Sequence, residues 1–167
     1  FDGKVFEPWQ RSDEPHDHPP QIMPIHLPHD DNGSQAFVLH IGPQRIGYAT
    51  DLGQVPAPLI AHFAGVDLLA IESNYDPQLQ RDSARPWFLK QRIMGSRGHL
   101  SNEQSFEAVV KILDAAGSRL PRKIVLLHRS RQCNCPEKVR ALFTQDARIA
   151  SRLVLSEQTK STEWMSL

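Results

Sequence analysis

Residues 45–76 read "RIGYATDLGQVPAPLIAHFAGVDLLAIESNYD". The run "RIGYAT" (45–50) has a strand pattern and stops at Asp51, a residue type that strands disfavour. "APLIAHFAG" (57–65) fits a short helix closed by Gly65. "VDLLAIE" (66–72) is a continuous apolar run, as in strands buried on both faces. Strand, helix and buried strand in succession imply helices packed against a sheet.

The flanking sequence extends this pattern. Upstream, "QAFVLHI" (35–41) and Gly42-Pro43 make a hairpin with the strand at 45–50, which argues for a mixed sheet. Downstream, "RPWFLKQRIMG" (85–95) reads as a helix, with Pro86 in its first turn. "SNEQSFEAVVKILDAAG" (101–117) is the clearest helix, with Ser101 and Gln104 as a capping box and Gly117 as its stop. Its apolar stripe runs through Phe106, Val109, Val110 and Leu113. "KIVLLH" (123–128) is a buried strand, "CPEKVRALF" (135–143) a helix and "SRLVLSEQ" (151–158) a last strand. Residues 1–24 carry five prolines and no sustained period, and read as an irregular arm before a domain at 25–167. The "HDH" of His16, Asp17 and His18 within it reads as exposed loop histidines.

Of the 167 residues, 40% are hydrophobic and 23% charged, which excludes a disordered chain and suits one domain with a core. No apolar run approaches the roughly 20 residues that span a bilayer. Cys133 and Cys135 are spaced too closely for an ordinary disulfide and read as reduced thiols of a cytoplasmic protein. A lone Cys-x-Cys is a weak metal signature. Net charge is zero, yet residues 1–80 hold 11 acids against 3 bases, while residues 81–131 hold 11 bases against 4 acids. The basic middle suits an anionic partner such as a phosphodiester, or else a solvated surface that offsets the acidic part.

Three apolar strands end in polar residues: Asp51, Glu72 and His128. Sheets flanked by helices bind ligands beyond the carboxyl ends of their strands, so three such endings point to one shared site. Carboxylate and imidazole together suit a divalent metal. "IHLPHDD" (25–31) adds His26, His29, Asp30 and Asp31 just before the hairpin.

"PHDD", "RIGYATDLG", "LLAIESNYD", "LKQRIMGSRGHLSN" and "VLLHRSRQCN", in this order, resemble the metallo-β-lactamase superfamily in its YycJ/WalJ-like, exonuclease-related branch. The resemblance spans roughly residues 22–135. It implies an αββα sandwich with two divalent ions, zinc or manganese. Carried over by motif, His29 and His128 become metal ligands and Asp51 the bridging carboxylate. Glu72, Asn74 and Asp76 become their supports. His99 of "GHLSN" lies near the substrate, as a phosphate ligand or a proton donor. Arg92, Arg97, Ser101, Asn102, Arg129 and Ser130 become candidates to bind substrate phosphates.

Two departures matter. Tyr75 stands where the branch usually has His. The superfamily's His-x-His-x-Asp-His signature, which brings most of the ligands, is absent, and "PHDHPPQ" (15–21) does not match it. The expectation is therefore the C-terminal half of such a sandwich, holding at most one metal loosely, with weak hydrolysis or none. Its uncovered sheet face would favour self-association or a missing N-terminal half. The favoured substrate is nucleic acid or another phosphodiester. The alternatives are a thioester or lactone hydrolase of the same superfamily, and a degenerate, non-catalytic binding module. A response-regulator-like domain with Asp51 as phosphoacceptor fits less well, because its last strand would want Lys where "IVLLHRS" has His.

Overall fold

The computed structural model describes residues 20–27 and 33–166. One six-stranded mixed sheet runs in chain order across the protein. β1 (Gln21–Leu27), β2 (Ser34–Ile41) and β3 (Gln44–Ala49) form an antiparallel meander. β4 (Leu68–Glu72), β5 (Lys123–Leu127) and β6 (Leu153–Leu155) then continue parallel to β3. The helices are α1 (Ala57–Phe63), α2 (Pro77–Asp82), α3 (Trp87–Met94), α4 (Asn102–Ala116), α5 (Pro136–Phe143) and α6 (Ala147–Ala150).

From β3 to β6 the chain advances in one direction across the sheet. Right-handed crossovers therefore put the intervening helices on one face, and α1 contacts α4, which contacts α5. Val38, Leu69, Ile71, Ile124 and Leu126 meet Leu59, Phe63, Val109, Ile112, Leu113 and Phe143 in the core beneath that layer. Gly47 lets α1 come close, since a Cβ there would lie 3.1 Å from the Phe63 ring. α4 has the expected capping box, and Gly117 ends it with φ 61°. Its buried stripe is shifted from the expected one, to Ser105, Ala108, Val109, Ile112 and Leu113, with Phe106 and Val110 at the margin.

The opposite face carries a second apolar row, Phe37, Tyr48, Ala70, Val125 and Val154, aligned by register. Ala70 and Val125 in this row are buried, while Tyr48 and, on the same face, Ile22 stand 41% and 62% exposed. The sheet and the α1–α4–α5 layer supply two of the four layers that the resemblance implies.

The expected arm at 1–24 is corrected at its end. Residues 21–24 belong to β1, and Pro24 sits within that strand. Among the described residues β1 is an edge strand that pairs only with β2, so a residue without an N–H is tolerated there. Residues 1–19, including His16, Asp17 and His18, lie outside the described residues. α2 and α6 are additional to the sequence reading.

Candidate metal centre

β3, β4 and β5 are parallel neighbours, so their carboxyl ends lie side by side. They deliver Asp51, Glu72 and His128 to one edge of the sheet, and the segment between α3 and α4 brings in His99. Ligand atoms of these four residues all lie within 4.8 Å of one another.

Asp51 and His128 have φ of 57° and 52°, and no other non-glycine residue among those described has a positive φ. The left-handed region is costly for residues with a Cβ, and such positions cluster at functional sites. Here the turn breaks each strand at the residue that faces the cluster.

Glu72 is fully buried, and each of its oxygens has two partners. Oε1 accepts from the Leu100 N–H at 3.0 Å and lies 3.1 Å from His99 Nδ1. Oε2 accepts from the Leu52 N–H at 3.2 Å and lies 3.4 Å from His128 Nδ1. Burial pushes this carboxyl up, but the hydrogen bonds and charges of His128 and His99 outweigh it and bring the group down to about 2. The hydrogen bond to Glu72 raises the pKa of His128 in turn, against the effect of burial, with the charges of Glu72 and Asp51 adding to the rise.

Asp51 Oδ1 lies 3.4 Å from His128 Nδ1 and 3.8 Å from His99 Nδ1. The two imidazoles meet edge-on, with centroids 5.0 Å apart. Zinc holds oxygen and nitrogen ligands at about 2.0–2.2 Å, so ligands of one ion sit roughly 3–4 Å apart. The Asp51–His128 and Asp51–His99 spacings lie in that range, and carboxylate oxygen with imidazole nitrogen suits zinc or manganese; where Glu72 holds a ring by Nδ1, Nε2 is the nitrogen left for an ion. Asp51, 42% exposed, is the accessible carboxylate. Glu72, whose oxygens are already engaged, is built to orient the two rings.

The other expected residues divide. Asn74 supports the cluster: its Nδ2 donates to the His128 carbonyl at 2.7 Å. Asp76 works elsewhere, capping α2 through the Leu79 N–H at 2.8 Å and pairing with Lys138 at 3.0 Å. Ser101 and Asn102 are buried in internal bonds rather than presented to a substrate. Ser101 caps α4, and Asn102 accepts from Ser73 Oγ at 2.8 Å. Burial pushes the Tyr75 hydroxyl up to about 12, helped by the charges of Glu103 and Glu72. Arg92 and Arg97 are exposed, on α3 and just beyond it. Arg129 and Ser130 line a cleft of about 500 Å³ with Arg131, Asn134, Arg140 and Glu157. His29 lies outside the described residues.

Asn134 is the residue that sequence reasoning missed. Its Nδ2 donates to the carbonyls of Ser73 and Asn74 and to Asn102 Oδ1, at 2.8, 2.9 and 3.1 Å. It thereby ties the end of β4 to the starts of α4 and α5. Cys133 and Cys135 are free thiols, the first buried and the second donating to Glu137 at 3.0 Å.

No family model matches the chain. It is 39% identical over 88 residues to the exodeoxyribonuclease WalJ of Streptococcus pneumoniae serotype 2 (strain D39 / NCTC 7466), across 53% of this chain and 31% of that protein. It is 26% identical over 125 residues to the exodeoxyribonuclease YycJ of Bacillus anthracis, across 75% of this chain and 46% of that protein. The metallo-β-lactamase-fold protein YhfI of Bacillus subtilis superposes with a TM-score of 0.57 at 16% identity, over 83% of this chain and 47% of that one. The chain is thus similar to part of two exodeoxyribonucleases and shares the metallo-β-lactamase fold.

Two further solved structures share the fold. A diphosphatase of the PhnP family superposes with a TM-score of 0.52 at 12% identity, over 87% of this chain and 44% of that one. Zinc-bound PqqB from Methylobacterium extorquens gives 0.50 at 13% identity, over 82% and 44%. The chain therefore spans less than half the length of each relative and structure named here.

Proposed function

We propose that this chain carries part of the active site of a metal-dependent phosphodiesterase that acts on nucleic acid. The observation that carries this reading is the convergence of Asp51, Glu72, His99 and His128 at the ends of parallel strands. A bound divalent ion would lower the pKa of a water and polarise a phosphoryl oxygen. Asp51 and His128 would hold the ion, with His29 as a further ligand. Glu72 fixes both rings, Asn74 fixes the His128 backbone, and His99 offers a nitrogen to the substrate or leaving group. Arg129, Arg131 and Arg140 give the neighbouring cleft a positive wall. The names of the WalJ and YycJ relatives favour DNA as the substrate class.

The isolated chain binds at most one divalent ion and hydrolyses weakly or not at all, because Asp51, His128 and His29 make up no more than one ion's shell. Calorimetry with zinc and manganese, paired with turnover of bis-p-nitrophenyl phosphate, tests this. Two ions per chain with robust turnover would overturn it. The exposed Tyr48 and Ile22 on this face support self-association or a covering partner; a monomer at every concentration in sedimentation velocity would speak against self-association.

A further inference from the structure

α3 is unlike the other helices: none of its residues is buried. Its first two residues, Trp87 and Phe88, are each 70% exposed, and both are large apolar rings. Exposed aromatics of this size normally mark a binding surface.

The charge along this stretch of sequence is of one sign. Residues 85–97 contain Arg85, Lys90, Arg92 and Arg97 and no acid. Arg85 bonds the side-chain carbonyls of Gln80 and Gln132, and Lys90 bonds the Arg81 carbonyl, all neutral acceptors, so these bonds leave both charges uncompensated. The nearest acid in sequence, Asp82, accepts from Gln78.

The surface is also tied to the centre. The His99 N–H donates to the Ile93 carbonyl at 2.8 Å, so the last turn of α3 positions the segment that carries His99. At 1.5 Å per residue, Trp87 lies about 9 Å along the helix from Ile93.

We infer that α3 is a stacking platform for single-stranded nucleic acid, with Trp87 and Phe88 against unpaired bases and the flanking Arg and Lys residues along the backbone. Aromatic faces beside a cationic track are how proteins hold single strands without reading sequence. A duplex hides its base faces and would not use the two rings. This deepens, and rests on, the reading of the centre as a nucleic-acid phosphodiesterase, since it names the form of the strand fed to it.

The test is fluorescence anisotropy of a labelled single-stranded oligonucleotide and of its duplex, with the whole chain in EDTA. The single strand binds more tightly than the duplex. W87A/F88A weakens it on the order of ten-fold or more, and W87F/F88Y restores it. K90Q/R92Q lowers the salt slope by roughly one per lost phosphate contact. Absence of binding, a preference for duplex, or unchanged affinity in W87A/F88A would each overturn the platform. Unchanged affinity together with a changed sedimentation profile would assign the rings to a protein contact instead. Metal is absent from the assay, so the platform and the metal centre fail separately: strand binding without turnover in metal removes the hydrolase reading alone, and metal binding without strand binding removes the platform alone.

Discussion

Asp51 and His128 follow the two strands that flank β4, each in the same left-handed backbone turn, and their side chains meet at 3.4 Å, Oδ1 to Nδ1. The cost of the turn for a residue with a Cβ is roughly 1–2 kcal/mol. That strain at Asp51 is separable from its ligand role. Asp51→Gly should be about 1 kcal/mol more stable than Asp51→Ala, because only glycine takes this φ freely. Both variants should lose metal affinity. Urea unfolding and calorimetry on the pair read the two effects independently.

Gly53 is tied to the same centre by contact. The sequence suggests that it lets the chain turn sharply after Asp51; in the structure the unusual φ belongs to Asp51 itself. A Cβ at Gly53 would collide with the Ser96 carbonyl and lie 2.6 Å from the Arg97 Cα. Both obstacles are backbone, so the segment leading to His99 has to move. Gly53→Ala should cost about 1–3 kcal/mol, as overpacking does, and weaken metal binding as well. Thermal unfolding and calorimetry check it; an unchanged melting temperature with unchanged affinity would refute the close-approach role.

At Glu72, replacement by Gln keeps the shape and removes the charge. One of its two oxygens becomes an NH2 that must face the N–H of Leu52 or Leu100. An unsatisfied buried donor costs about 1–3 kcal/mol. The imidazoles also lose the group that orients them, which typically costs about 10–100-fold in metal affinity. Glu72→Gln should therefore fall in both assays, whereas a residue that only ligates would fall in one.

Asp76 gives a pH signature away from the centre. Burial pushes its carboxyl up, but the Leu79 N–H and Lys138 outweigh it and set the group below its ordinary 3.8. A depressed folded value means that the stabilising contribution is complete above 3.8 and is lost as pH falls through the lower folded value. Asn is also a good N-cap but does not titrate. Asp76→Asn should cost roughly 0.5–1 kcal/mol at neutral pH through the lost ion pair with half-exposed Lys138. The gap to wild type should close in acid. Urea midpoints across a pH series test this, and a gap constant down to strong acid would refute it.

Much of this architecture is legible from the sequence because its signals are local. The Ser101–Gln104 box and Gly117 bound α4 correctly, and the apolar runs at 66–72 and 123–128 contain β4 and β5. Asp51, Glu72 and His128 are legible as a set because adjacent parallel strands share one carboxyl edge. β1 is not, since Pro24 reads as a breaker until the edge position is known. Asp76 illustrates a different ambiguity. Asp before Pro77 is a helix start, and the resemblance reads the same residue as a support of the metal site. Ser101 and Asn102 follow His99 directly and look accessible on paper. Only the docking of α4 against Ser73 and Asn134 shows them sealed inside. Asn134 itself gives no local signal, because these partners lie 32 to 61 residues earlier in the chain.

The four contacts on the Glu72 carboxylate also bear on how this chain can diverge. Glu72 joins the segment after β3, the start of α4 and both imidazoles, so folding alone is reason enough to keep it. A descendant that hydrolysed nothing would still retain it. Asp51 is half-exposed and strained, and glycine takes its backbone turn more readily than alanine. In a relative that shares this fold, survival of an acid at position 51 is therefore the mark of continuing chemistry, while survival at position 72 records only that the protein still folds.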